Sequence, residues 1–392
     1  MTSQGLLSGV RVVDLSRVLA GPFAAQVLAE MGADVIKVEQ PTGDPARGIG
    51  PHVDGRSLYF SALNTGKRGV ALDLADPSGR AGLDALLASA DIVVENFRPA
   101  AASALGCDPA SLLVRHPGLT VVTVSGYARG SQRADSPALD LTVQAESGIM
   151  SVTGEPGGPP VRAGVPVGDL AAGLWAALAA AAGYAARLRD GRGRHVEVPL
   201  VDAAITLLSY VATAAAATEQ DPPQVGSGHH SVVPYGAYPT ADGWVVVAVI
   251  GDKFWPSLCD ALGIGDLAAR EDLVSNRQRA AAREEVDAAV ARRLATLTSA
   301  QALAALASAG VPSAPVNSVL AALDDPYVQA RGMVADVPAA GSSYRVVQGP
   351  LRTRATPRPA PALGEHTGEV MSEVLGADSP LLARLTARTH LR

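Results

Sequence analysis

GVRVVDLSRVLAGPFAAQVLAEMGADVIKVE, residues Gly9–Glu39, decides the fold. Its first seven residues, Gly9–Leu15, are a β-branched apolar run that predicts a strand, and Pro22–Met31 carries a helical pattern that stops at Gly32. DVIKVE (Asp34–Glu39) is a second strand. The alternation continues outward. GVALDL (Gly69–Leu74) is followed by a helix over Pro77–Ala90 with Leu83, Leu86 and Leu87 on one face, then by strands DIVVENF (Asp91–Phe97) and LTVVTVS (Leu119–Ser125). Near-continuous apolar strands separated by helices mean parallel pairing with both faces covered, so the fold class is α/β with a Rossmann-like doubly wound sheet.

Ligands of such sheets bind at the carboxyl ends of the strands. Those ends are Ser16–Pro22 (SRVLAGP), Glu39–Asp44 (EQPTGD), Asp73–Asp76, Asn96–Pro99 (NFRP) and Gly126–Gly130 (GYARG). No G-x-G-x-x-G follows the first strand and no G-x-x-x-x-G-K-[ST] occurs. A nicotinamide dehydrogenase or a P-loop enzyme is therefore disfavoured.

The chain has 392 residues, too many for one ordinary core. A large Rossmann-like domain is expected over 1–224, a smaller inserted α/β domain over 225–325, and a returning C-terminal segment over 326–392. The linker DPPQVGSG (Asp221–Gly228) marks the change of pattern. Beyond it Tyr235–Tyr238 and Trp244–Ile250 predict a hairpin turned at TADG (Thr240–Gly243). With 18% charged residues, a net charge of −6 and no long Lys/Arg run, a nucleic-acid surface is not expected. Cys107 and Cys259 have no partners at metal-ligand or disulfide spacing, and the N-terminal stretch lacks signal-peptide character, so the expectation is a cytoplasmic protein with no metal site. Leu170–Ala186 is Ala/Gly-rich and at the short limit for a membrane span, and it reads as a buried helix.

Asp169, in GVPVGDLAAG (Gly164–Gly173), is the last charge before the seventeen uncharged residues Leu170–Ala186. A carboxylate opening such a helix is either its N-cap or a reactive group. The helix's free N–H groups would suit an oxyanion, and Gly168 and Gly173 would let a substrate approach the backbone.

Taken in order, Gly9–Arg47, LNTGKRGVALDL (Leu63–Leu74), DIVVENFRP (Asp91–Pro99), SGYARG (Ser125–Gly130), VGDLAAG (Val167–Gly173), GRGRHVEVPLVDA (Gly191–Ala203), HHSVVPYGAYPTADGWVVVAV (His229–Val249) and PALGEHTGEVMSEVLG (Pro361–Gly376) cover nearly the whole chain. This series resembles the class III CoA-transferase family, with its formyl-CoA and carnitine CoA-transferases and related 2-methylacyl-CoA racemases. The resemblance implies an interlocked homodimer and a coenzyme A thioester as substrate, with no tightly bound cofactor. It makes Asp169 the covalent nucleophile of a transfer between acyl-CoA and a small or medium carboxylic acid. For coenzyme A it implies a groove at Leu19, Ala20, Gln40, Leu72, Asn96, Phe97, Arg98, Leu139 and Asp140. Arg98 is the expected phosphate partner, with help from Lys67 or Arg68.

Three departures narrow this. Leu139 stands where racemases carry a proton-transferring His and formyl-CoA-type transferases a Tyr. Leu19 replaces a Gln, and Ala104 lies near a missing Arg. The acyl pocket is therefore expected to be less polar than one for oxalate or formate. A racemase using Asp140 or Glu146, and a silent CoA-binding protein, remain the alternatives. His229 and His230 read as an exposed turn rather than as acceptor ligands, His366 as a packing or capping residue, and Trp175, Phe23 and Phe97 as core or pocket wall.

Overall fold

The computed structural model describes residues 5–339, 342–353 and 357–389. The chain divides into two compact units, one of Met1–Ile149, Ala163–Ser209 and Pro326–Arg392, the other of Met150–Arg162 and Tyr210–Asp325. The second unit thus starts earlier than the linker at Asp221–Gly228 and takes in a segment that the sequence pattern did not mark.

In the first unit the leading elements are β1 (Arg11–Asp14), α1 (Ala20–Glu30), β2 (Asp34–Glu39), β3 (Arg68–Ala71), α2 (Pro77–Ala88), β4 (Ile92–Glu95) and β5 (Thr120–Ser125). They are followed by α3 (Asp140–Glu146), α4 (Val167–Asp190), β6 (Arg194–Pro199) and α5 (Leu200–Thr218), the last interrupted by the non-helical Ser209. The six strands form one sheet in the order β3-β2-β1-β4-β5-β6, every pair parallel. Strand order reverses between β1 and β4, and that point is where doubly wound sheets open a ligand crevice.

Successive strand residues feed opposite cores. Val12, Val35, Ile92 and Val94 pack with α1 and α4, while Val13, Ile36, Val93 and Val121 pack with Leu83, Leu86 and the C-terminal Met371. Burial on both faces is why the strands read as continuous apolar runs.

Helix α4 departs from its sequence reading. Its buried side is built of Ala171, Ala172, Gly173, Ala176, Ala177 and Ala180, and a Cβ on Gly173 would stand 2.8 Å from the Ala20 carbonyl oxygen. Gly173 therefore serves close packing on α1, not the approach of a substrate. The opposite side leaves Leu174, Trp175 and Leu178 exposed at 55%, 47% and 58%. The helix is half covered rather than buried, and Trp175 is not a core residue. In α5, Ile205 and Leu207 are likewise exposed. Both helices are long and apolar enough to cross a membrane by length and composition alone.

The second unit holds an antiparallel sheet of β7 (Tyr235–Pro239), β8 (Trp244–Ala248) and β9 (Ser313–Pro315), with the hairpin turn at Thr240–Gly243 as the Asp-Gly signal predicts. Helices that include Phe254–Leu262 and Arg283–Leu294 cover it around Trp255, Leu258 and Val290.

Two fully buried ion pairs brace the carboxyl ends of β1 and β2. Lys67 Nζ lies 2.8 Å from Asp14, and Lys37 Nζ lies 3.0 Å from Asp44. Lys67 also donates to the Pro22 carbonyl and to Asn64 Oδ1, and Lys37 to the Ser16 carbonyl. Removing one partner of such a pair strands a buried charge, so Lys67→Met is expected to cost about 3–5 kcal/mol in urea denaturation. A loss below about 1 kcal/mol would show that the pair does not brace the fold.

Candidate active site

Asp169 is not the cap of its helix. Helix α4 starts at Val167, with Pro166 at the cap position and no side-chain cap of its own, so Asp169 is its third residue. The capping carboxylate comes from α3. Asp140 Oδ1 accepts from the backbone N–H of Gly168 at 2.9 Å and of Asp169 at 3.4 Å. Its other oxygen takes a 2.6 Å hydrogen bond from Gln144, whose own carbonyl accepts from Ala163 N–H. Val167 and Leu170 N–H go to backbone carbonyls. The first-turn donors are thus already taken, and the expectation that they await an oxyanion is corrected.

The consequence for Asp169 is electrostatic. Its carboxylate accepts no hydrogen bond among the described residues, and desolvation, then the charge of Asp140, push its pKa up to about 7. A second group shares this field. The Tyr59 phenol, in the helix Leu58–Asn64, is pushed up to about 12 by burial and by Asp169, Asp44 and Asp140, so it stays protonated and a donor. Tyr59 escaped the sequence reading because SLYFSALN carries only an ordinary helical pattern.

A cavity of about 370 Å³ opens over Asp169 at the carboxyl ends of β1, β4, β5 and β6. Its lining includes Arg17, Val18, Leu19, Ala20, Asn96, Phe97, Arg98, Ala138 and Leu139. A neighbouring cavity of about 220 Å³ shares Arg17 and Phe97 and is lined further by Val38, Gln40, Leu74, Ala75 and Ala101. Asn96 bridges the switch point. Its side chain accepts from Arg17 N–H and donates to the Arg17 carbonyl, both at 2.9 Å. Arg17 also stacks over Phe97, 5.7 Å from the ring centre. Sequence reasoning missed Arg17, although it sits in the SRVLAGP turn that was marked as a strand end. Next to it Val18 is a β-branched residue at φ +71°, its N–H donating to Asp44. That strained backbone is held by the buried Lys37–Asp44 pair.

From the other side, Arg129 donates to Glu95 at 2.7 Å and to the Phe97 carbonyl, while Glu95 accepts from Phe97 N–H. This fixes the loop from which Arg98 projects, exposed and without a partner among the described residues.

The structure brings Leu19, Ala20, Asn96, Phe97, Arg98, Leu139 and Asp169 to one cavity and Gln40 to the next. Asp140 lies behind Asp169 as the helix cap. Leu72 does not reach the groove, because its side chain is 1% exposed within the core. Lys67 and Arg68 are corrected as phosphate partners. Lys67 is buried on Asp14, and Arg68 is paired with Asp34, Glu369 and Glu373. Glu146 is held by Arg133 and Tyr127. His229 is no free turn residue, for it stacks on Tyr210 and meets Tyr235 edge-on.

A desolvated carboxylate that accepts no hydrogen bond among the described residues thus sits at the base of a groove over the switch point, with two arginines on its rim. Residues 7–367 match the model of CoA-transferase family III, and the chain belongs to that family. It is 38% identical over 381 residues to a succinate–glutarate CoA-transferase of Agrobacterium fabrum, covering 94% of this chain and 95% of the relative. It is 32% identical to a human succinyl-CoA:glutarate CoA-transferase, covering 97% and 88%. A crystal structure of a CAIB/BAIF family protein from Brucella suis matches with a TM-score of 0.85 at 34% identity, over 95% of this chain and all of that one. The protein is a CoA-transferase, and enzymes of this family take CoA thioesters as substrates.

The raised pKa of Asp169 carries a stability cost. A carboxyl group whose folded pKa lies above its unfolded one penalises the fold once ionised. The penalty is absent below about pH 4 and fully present above about pH 7. Asp169→Asn is therefore expected to stabilise the protein by roughly 2–4 kcal/mol at pH 8 and hardly at all at pH 4. Denaturation midpoints at the two pH values check this, and equal shifts at both would overturn it.

Proposed function

We propose that this CoA-transferase moves CoA between an acyl-CoA and a free carboxylic acid through an aspartyl-CoA thioester at Asp169. The observation that carries the reading is the Asp169 carboxylate itself, desolvated, without a hydrogen bond among the described residues and open to the groove. Desolvation and freedom from donors make a weak nucleophile more reactive.

The carboxylate attacks the thioester carbonyl, and the tetrahedral intermediate expels CoA thiolate, leaving a mixed anhydride on Asp169. The thiolate then attacks the aspartyl carbonyl, releasing the donor acid as its carboxylate and leaving Asp169 as a CoA thioester. The acceptor carboxylate attacks that thioester and again frees the thiolate. Attack of the thiolate on the acyl carbonyl of the new anhydride gives the product acyl-CoA and regenerates Asp169. One thioester is exchanged for another, so the sequence balances without a further reactant. Tyr59, protonated and coupled to Asp169, is the donor we assign to the oxyanions in place of the occupied helix N–H groups. Arg17 and Arg98 take the phosphates, with the second cavity beside Phe97 for the nucleotide end.

The acceptor we propose is a small or medium carboxylic acid, of the size that the named relatives exchange. Val18, Leu19, Leu139 and Leu200 make the near wall apolar. The exposed faces of α4 and α5 are covered, in this reading, by a second copy of the chain, interlocked with the first as the family resemblance implies. Two free cysteines agree with a cytoplasmic setting.

Incubation with acyl-CoA followed by hydroxylamine should place a hydroxamate on the peptide containing Asp169, with ping-pong kinetics. Asp169→Ala should lose the label and activity by at least about three orders of magnitude, the scale seen when a nucleophile is removed. Full activity in that variant would end the mechanism. Light scattering should find a dimer, and Leu178→Glu should give monomers or aggregates. A dimer unaffected by that change would place the interface elsewhere.

A further inference from the structure

Away from the CoA groove a cavity of about 350 Å³ lies between the start of the helix Leu58–Asn64 and the C-terminal segment. Arg56, Lys67, Arg358, Glu365 and His366 supply its polar lining. The donors on its wall are unevenly used. Lys67 spends its three protons on Asp14, Asn64 and Pro22, so it lends the site a floor and little net charge. His366 Nδ1 accepts from Gly69 N–H at 3.1 Å, which fixes the tautomer and leaves the proton on Nε2, with no partner among the described residues. The Arg358 guanidinium also has none, although its backbone carbonyl accepts from Gly66 N–H. Arg56 has a single 3.4 Å contact with the Ala360 carbonyl. The one carboxylate on the wall, Glu365, accepts from Ala362 N–H.

Two guanidinium groups and an imidazole N–H thus line one cavity with most of their donors unspent among the described residues, against a single carboxylate already engaged. Planar guanidinium forks match the paired oxygens of carboxylate and phosphate. We propose that this cleft is a second ligand site, separate from the CoA groove, that binds a small oxyanion through Arg56, Arg358 and His366. The shared chemistry is a charged group with two or more acceptor oxygens, from either inorganic phosphate or a short dicarboxylate.

Calorimetric titration of the full chain at low ionic strength, with inorganic phosphate in one arm and succinate in the other, tests this and separates the two sources. Saturable binding of one anion per chain is expected in at least one arm. Arg358→Gln and Arg56→Gln should each weaken it by about tenfold or more, the loss of a charge-assisted hydrogen bond. Arg277→Gln, at an exposed arginine of the second unit, should leave it unchanged. Arg358 is exposed, so its variant should fold, and a circular dichroism melt verifies that. No saturable binding in either arm overturns the proposal. So does binding that survives both cleft variants, or that disappears with Arg277→Gln.

Discussion

Everything at the active site depends on two buried lysine–aspartate pairs. Lys67–Asp14 and Lys37–Asp44 lie wholly out of water, and each lysine spends further donors on the backbone of the β1–α1 turn. Such pairs contribute little net stability relative to an apolar core, but they are unforgiving of displacement. What they secure is geometry. The turn they hold contains Val18 in a left-handed conformation that a β-branched residue resists, followed by Leu19 and Ala20 on the groove wall. Asn96 then ties that turn to the end of β4, and Arg129 with Glu95 ties the end of β4 to β5. The crevice at the switch point is thereby a rigid cleft framed by polar bonds rather than a gap between loops.

Asp140 and Asp169 divide labour that one carboxylate would have had to combine. Asp140 accepts the helix N–H groups of Gly168 and Asp169. Asp169 is left with none of those bonds and with a like charge nearby.

The sheet was legible because strands buried on both faces are mostly apolar, as Gly9–Leu15, Asp34–Glu39 and Leu119–Ser125 are, their buried polar exceptions including Asp14, Lys37, Glu39 and Thr123. The Asp-Gly turn of the second unit was legible from its turn chemistry. The site was only half legible. Asp169 stood out by its isolation, but nothing local says which of two aspartates caps a helix when the cap arrives from another element. Lys67 and Arg68 read as phosphate partners, since a sequence does not show that carboxylates which neutralise them lie 53 and 305 residues away along the chain. Tyr59 and Arg17 went unseen because their roles arise from proximity across the fold. Leu72 was drawn from resemblance onto a side chain that points into the core. The half-exposed state of α4 was hidden too, because alanine-rich faces give no clear amphipathic contrast.

That inner face of α4 has a mechanical consequence. With glycine and alanine on its inner side, α4 lies so close against α1 that a Cβ on Gly173 would stand 2.8 Å from both the Ala20 carbonyl oxygen and the Phe23 ring. The backbone that carries Asp169 is therefore seated tightly against its neighbour, with little room to shift.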